Sequence, residues 1–370
     1  MTDVLQNTVI TKARIPFILL AAICLCIAAA TAVDARWGLD TAYRCVYGSV
    51  WFKLLWCAAA TTGLMLILKR RMWHDIPVFI LHSSFLIILV GAFVTSVSSD
   101  REDLHLRQGV PSTTLPFVLR VDSFMVDYYP DGDAVYDYRC ECSMYDADGE
   151  GGGVTVSMNN ILSHKGYRIY LSSYDPDLLG VCFTVNHDPY GTPITYFGYV
   201  VLAVGVLWCA MRQLNRRMRL VAGVFLILLS LASFLRWKYA MVIPVSMPVL
   251  RSPLLVAHVG IIVASYVLYA LAAIRPNHSL VLVATMFLAA GIFLGAVWAG
   301  QSWGSYWSWD PKESWALITM IVYALSLHRQ SLPMFQNRKT YNLYVRLAFL
   351  VLLMTYLGVN YLLVGLHSYA

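Results

Sequence analysis

Trp303-Gly304-Ser305-Tyr306-Trp307-Ser308-Trp309-Asp310-Pro311-Lys312-Glu313 sets four aromatic rings and three charges into eleven residues between two long apolar runs. Tryptophan is amphipathic and collects at the membrane–water boundary, so an interfacial belt accounts for one or two of these rings. It does not account for the whole string on one short connection. The alternative is a rigid aromatic shelf with polar rims, shaped for a large planar apolar ligand. Either reading puts the stretch at the surface of a membrane, and the rest of the chain must supply the spans on both sides of it.

It does. The 370 residues are 59% hydrophobic and 13% charged, a balance that a soluble domain cannot bury. Runs of about 20 apolar residues read as spanning helices near 15–33, 50–68, 76–97, 194–211, 219–235, 253–274, 280–299, 315–328 and 343–363. The expected fold is a polytopic α-helical membrane protein of about nine transmembrane helices, with a small antiparallel β domain on the outer side. The net charge of +6 is no nucleic-acid signature, because the basic residues sit in short loops. Lys12 and Arg14, Lys69 to Arg71, Arg212 to Arg219, Arg275, and Arg329 to Lys339 fall on one side if the N-terminus is cytoplasmic. The shelf, residues 98–193, residues 236–252 and the C-terminus are then outside. No cleavable leader is expected, since the first run is long enough to span and no small-residue cleavage site follows it.

Residues 98–193 change character. Alternating stretches appear at Leu115 to Val121, Tyr136 to Tyr145, Val154 to Met158 and Tyr167 to Ser172, with an Asp/Gly-rich turn over 146–153. Eight cysteines show no zinc spacing, and no C-x-x-C-H occurs, so the chain is not itself a c-type cytochrome. Cys140, Cys142 and Cys182 lie in the polar segment, where structural thiols, a disulfide and a redox role are all open.

Nine histidines occur. His74, His105, His164, His187 and His278 fall in loops or in the β domain, where surface roles are the default. The other four lie within or against apolar spans, where an ionisable group is a functional hypothesis. A rise of ~1.5 Å per residue puts His82 roughly 9 Å from the inner face and His328 at about the same depth. His258 lies roughly 8 Å below the outer face, and His367 at that face. Two depth-matched pairs of neutral imidazoles suit axial ligation of haem iron. The alternative is that each histidine bonds to a neighbouring helix.

These residues carry a family resemblance. The string from Trp303 to Glu313 resembles the WWD motif of haem-handling proteins. The segment Ser252 to Val259 and the C-terminal Gly358 to Tyr369 resemble the System II cytochrome c synthases of the CcsA or ResC type. Val46 to Phe52, His82 to Leu86, Leu115 to Phe117 and Gly166 to Arg168 resemble their ResB-type partner. The whole chain is thus similar to a fused CcsBA protein, divided as 1–97 (ResB-like helices), 98–193 (outer β domain), 194–235 (connecting helices) and 236–370 (haem-handling domain with the WWD segment at 303–313).

The resemblance implies haem export and cytochrome c synthesis in a bacterial inner membrane. Haem b would be both bound group and substrate. Apocytochrome c would be the partner, along with thiol-reducing proteins and membrane lipid, with no nucleic acid. By matching position, His82 and His328 would be the inner iron ligands, and His258 and His367 the outer ones. Trp303, Tyr306, Trp307 and Trp309 would bind the macrocycle, with Asp310 in the same catalytic segment. Arg251 is the expected propionate partner, chosen over Lys238 and beside Arg236, because a guanidinium fork binds a carboxylate twice. Arg346 is open between the inner site and snorkelling. The β domain is short for such a fusion, so the apocytochrome is expected to be received differently. A bis-histidine b-type electron carrier and a cofactor-free scaffold or transporter are the competing functions.

Overall fold

The structure, a computed structural model, describes residues 2–112, 114–128, 135–158, 160–213, 231, 252–302 and 304–363, with side chains from residue 14 onward. Ten α-helices occur among them. They are α1 (Thr2–Trp37), α2 (Leu39–Ala42), α3 (Val50–Lys69), α4 (Ile76–Ser98), α5 (Gly191–Gln213), α6 (Pro253–Ile274), α7 (His278–Ser302), α8 (Pro311–Leu327), α9 (Arg338–Leu353) and α10 (Val359–Leu362). A π-turn over Met354–Gly358 joins α9 to α10, so the two run as one rod.

Among the described residues, seven helices are long and apolar enough to cross a membrane. The chain is a multi-pass helical membrane protein. Two of the nine expected spans account for the difference. All but Leu231 of the span expected at 219–235 lies outside the described residues. That expected at 315–328 is α8, which has 17 residues and begins four residues earlier, because Pro311 fits the first helical turn and Asp310 caps it. Connections alternate between two ends. Lys69, Arg212, Arg275 and Arg338 mark a basic end, and the strands and the aromatic loop occupy the other.

Among the described residues, seven strands form two antiparallel sheets. β1 (Asp100–Arg107), β7 (Gly180–His187), β6 (Tyr167–Tyr174) and β5 (Leu162–His164) make one sheet in that order. β2 (Val118–Tyr128), β3 (Val135–Tyr145) and β4 (Gly151–Ser157) make the other. Leu119, Val121, Phe124, Cys140, Cys142 and Val156 from one sheet meet Ile169, Val181, Phe183 and Val185 from the other in a shared core. All eight cysteines are free thiols. Cys140 and Cys142 lie buried in this core with sulfurs 3.5 Å apart, and the hydrogen bond with Cys140, together with burial, pushes the Cys142 thiol well up.

Small residues set the helix seams. Gly191, Gly198 and Gly205 of α5 recur every seven residues and face Thr95, Ile88 and Leu81 of α4, which recur with the same spacing in reverse. Gly91 of α4 faces Thr195 in the same register. Without a hydrophobic drive between helices in lipid, close backbone approach supplies the attraction. A Cβ on Gly205 would lie 2.9 Å from the Leu81 Cα, where only backbone is available to yield. Gly205→Ala is expected to destabilise the protein by about 1–3 kcal/mol. Gly63→Ala meets open space and is expected to be neutral or slightly stabilising. Thermal unfolding of the two variants in detergent checks the contrast.

Candidate functional site

At the basic end, two imidazoles meet. His82 sits in the second turn of α4 and His328 caps the C-terminus of α8. Their ring centroids are 5.8 Å apart with planes at 88°, and Phe17 of α1 lies 5.1 Å from the His328 ring. Each ring is oriented by its own helix. His82 Nδ1 is 2.8 Å from the Val78 carbonyl, and His328 Nδ1 is 2.8 Å from the Ala324 carbonyl. A carbonyl only accepts, so Nδ1 carries the proton and the lone pair sits on Nε2 in both rings. That is the tautomer of a metal-ligating histidine whose other nitrogen is held by a backbone carbonyl. An ion between two imidazoles at ~2 Å from each nitrogen separates ring centres by about 6 Å, close to the spacing here. Arg346 is exposed on α9, with its Nε 3.3 Å from the Ala273 carbonyl at the end of α6.

At the other end, the aromatic loop is pinned from below, from its C-terminal side and from above. Below, the Trp309 ring stacks on Tyr47 with centroids 4.6 Å apart and planes at 11°, and Phe52 meets it edge-on at 5.7 Å. Trp309 has φ of 60°, a left-handed conformation that a bulky side chain rarely adopts. The stack holds it there. Trp307 stands edge-on to Trp309 at 5.8 Å. On the C-terminal side, Asp310 is 3% exposed and accepts from the Lys312 backbone N–H at 2.8 Å, the N-cap of α8. Glu313 accepts from the backbone N–H and hydroxyl of Ser308 at 2.9 and 3.3 Å. Lys312 donates to Asn360 of α10 at 2.8 Å.

Above, the β domain rests on the loop. Asn186 donates to the Gly304 carbonyl at 3.1 Å, and the Tyr170 ring occupies the space a side chain at Gly304 would fill. Gly304 has φ of 70°, which together with that contact excludes a larger residue. Burial pushes the Tyr170 phenol up, opposed by Arg101 and by a hydrogen bond with Thr184. The Tyr306 hydroxyl is 2.7 Å from Thr95 Oγ1, and Thr95 donates to Asp188 at 2.7 Å. Asp188 also accepts from the Gly191 N–H and the Thr192 hydroxyl at the start of α5.

His258 is near this end, on α6. Its Nδ1 lies 2.7 Å from the Gly291 carbonyl of α7, and its ring lies over Gly295, where a Cβ would come within 2.6 Å of Nδ1. The Nδ1 proton is again committed, here to a neighbouring helix. Trp303, Arg251, Arg236, Lys238 and His367 lie outside the described residues. The structure thus brings His82 to His328, gathers Tyr306, Trp307, Trp309 and Asp310 into one loop, and positions His258 against α7. Sequence reasoning missed Tyr47 as the partner of Trp309, and Thr95, Tyr170, Asn186 and Asp188 as the loop's other supports. The Tyr47-Gly48 and Tyr167-Arg168 pieces carried a family resemblance, but nothing in their spacing pointed at the loop.

A family model described as cytochrome C assembly protein matches residues 275–367, and one described as ResB-like family matches residues 58–183. The chain is similar to the cytochrome c biogenesis protein CcsA of Lactuca sativa, 52% identical over 84 residues, covering 23% of this chain and 26% of the relative. It is similar to CcsA of Pyropia yezoensis, 55% identical over 82 residues, covering 22% and 25%. It is also similar to protein NrfI of Wolinella succinogenes, 37% identical over 150 residues, covering 33% and 17%. The chain spans a quarter or so, or less, of the length of these curated relatives.

Thr95 of α4 links the loop to the Asp188 cluster. Thr95→Val keeps its shape and removes the hydroxyl. A net hydrogen bond of about 1 kcal/mol implies roughly five-fold faster amide exchange over residues 304–310, read by hydrogen–deuterium exchange. Amides of α6 and α7 are expected to be unchanged.

Proposed function

We propose that this chain, which matches a ResB-like and a cytochrome C assembly family model, is a fused ResB/CcsA-type cytochrome c biogenesis protein that carries haem from the cytoplasmic side of a bacterial inner membrane and attaches it covalently to apocytochrome c on the outer face. The observation that carries the reading is the His82–His328 pair. Two rings 5.8 Å apart, each held by a backbone carbonyl with its lone pair on Nε2, have the donor set and spacing for bis-histidine haem. The basic end is then cytoplasmic, and these two residues receive haem b there.

At the β-domain end, His258 and His367 would ligate the iron. Tyr306 and Trp307, with Trp303, would bind the macrocycle through their apolar surface. Trp309 backs them from beneath, and Asp310 fixes the loop as the cap of α8. Histidine ligation would protect the ferrous state. The thiols of an apocytochrome C-x-x-C-H then add across the two haem vinyl groups. Each S–H gives a new C–S bond, with the hydrogen passing to the other vinyl carbon, so no oxidant is consumed. Before that step, thiol-reducing proteins must keep the client cysteines as thiols. The protein contributes binding, orientation and a dry, fixed surface, and the vinyls supply the reactivity. A bis-histidine electron carrier would need the inner pair too, but it gives no role to a β domain seated on the aromatic loop.

His82→Ala and His328→Ala are expected to lose most copurifying haem and to abolish maturation of a coexpressed C-x-x-C-H apocytochrome. Added imidazole fills the vacated ligand position and restores part of both. Haem content and maturation at the wild-type level in both variants would refute the inner site. Normal haem with no maturation by the wild-type protein would favour the electron carrier.

A further inference from the structure

The face of the β domain that rests on the aromatic loop carries two arginines that the mechanism above does not use. Across the first sheet, Arg101 of β1 pairs with Asn186 of β7, and Asn186 pairs with Arg168 of β6. Directly opposite residues share a face, so the three form one cross-strand row. Asn186, in the middle, donates to the Gly304 carbonyl, and Tyr170, two residues along from Arg168, lies against Gly304. The row therefore faces the loop, while Ile169, Val185 and Phe183 point into the sandwich core.

Elsewhere in this domain, arginines are paired. Arg107 bonds to Asp175 and Asp177, Arg120 to Asp122, and Arg139 to Asp127. Among the described residues, neither Arg101 nor Arg168 has a carboxylate within ion-pair distance. Asp103, on the same face, accepts from Thr184 instead. Arg168 is half-buried, with its guanidinium carbon 5.4 Å from the Tyr196 ring centre and Nη1 beside Gly300 at the end of α7. The Tyr196 hydroxyl also reaches Gly300, and it is buried with no hydrogen-bond partner among the described residues. A cation without a counter-ion and a phenol without an acceptor thus converge on one spot, four residues before Gly304. Both lack the same thing, an anionic oxygen.

We propose that Arg168, the Tyr196 hydroxyl and Arg101 form a carboxylate-binding subsite that holds the propionate edge of haem beside the contact between the β domain and the aromatic loop. The inference rests on the outer haem site of the proposed function. Arg101 and Arg168 stand two strand spacings apart, ~9.6 Å at the backbone, a span that flexible side chains close onto two carboxylates on one edge of a macrocycle. Arginine's planar fork gives each contact a direction as well as a charge. The β domain would thereby set which edge of haem faces the loop and which edge, bearing the vinyls, faces the incoming thiols.

The test uses the full chain in detergent, carrying His82→Ala so that the inner site is silent. It is titrated with haem and with haem dimethyl ester, whose carboxylates are blocked, and read by the Soret band. The parent is expected to prefer haem over the ester. Arg168→Ala is expected to lower haem affinity about tenfold and leave ester affinity unchanged, and Arg101→Ala to act in the same direction. Arg168→Lys should recover part of the preference, because it keeps the charge and loses the fork. Retained ester binding shows that the variant site is folded. Full preference in both alanine variants overturns the inference, as does equal loss of haem and ester, which would make the arginines supports of the fold. A parent that binds neither ligand removes the outer haem site itself, and the subsite with it.

Discussion

The stack of Trp309 on Tyr47 holds the two halves of this protein in one arrangement. Tyr47 comes from the turn before α3, and Trp309 from the loop before α8, 262 positions later in the chain. The contact keeps a bulky residue in a left-handed backbone conformation that costs of order 1–3 kcal/mol, so the loop cannot relax while the stack persists. Everything after Trp309 follows from that geometry. Asp310 falls at the N-cap, Pro311 at the first helical position, and Glu313 one turn on, reaching back to Ser308. A planar ligand gains affinity from walls that need no further ordering, and residues 304–310 are tied down by contacts within the protein itself.

A division of labour among the aromatics follows. Trp309 spends one face on Tyr47 and an edge on Phe52, so it is a foundation first. Trp307 leans edge-on against it, and Tyr306 is tied by its hydroxyl to Thr95. Composition alone reads four rings in one string as four equivalent surfaces. Which of them the fold consumes depends on residues far away in the chain, and no local pattern encodes that.

The same limit explains what else was legible. Helix rise converts position into depth, so His82 and His328 could be matched without knowing which helices touch. Alternation revealed the strands, but not the order β1-β7-β6-β5, because pairing of β1 with β7 is a contact across some 80 residues. That pairing brings Arg101 and Arg168 into one row. A propionate partner sought near His258 in sequence gives Arg251, which lies outside the described residues. Likewise, Gly291 and Gly295 looked like ordinary small residues of a span. Only the register of α6 on α7 makes one the acceptor and the other the floor for His258.

The histidines at the two ends are anchored differently, and the difference suits their proposed tasks. His82 and His328 each bond a carbonyl one turn back in their own helix. Each ring therefore moves with its helix, and the spacing of the pair is set by how α4 and α8 sit relative to one another. A small shear between the two changes that spacing without breaking either hydrogen bond, which suits a site that must let its ligand go. His258 bonds across to α7 and lies over Gly295, so α6 and α7 must part before the ring can move. A ligand held there stays in register with the aromatic loop that follows α7. In the proposed function, binding at one end would thus be easy to undo, and at the other it would be stiff, as positioning two vinyl groups for attack demands.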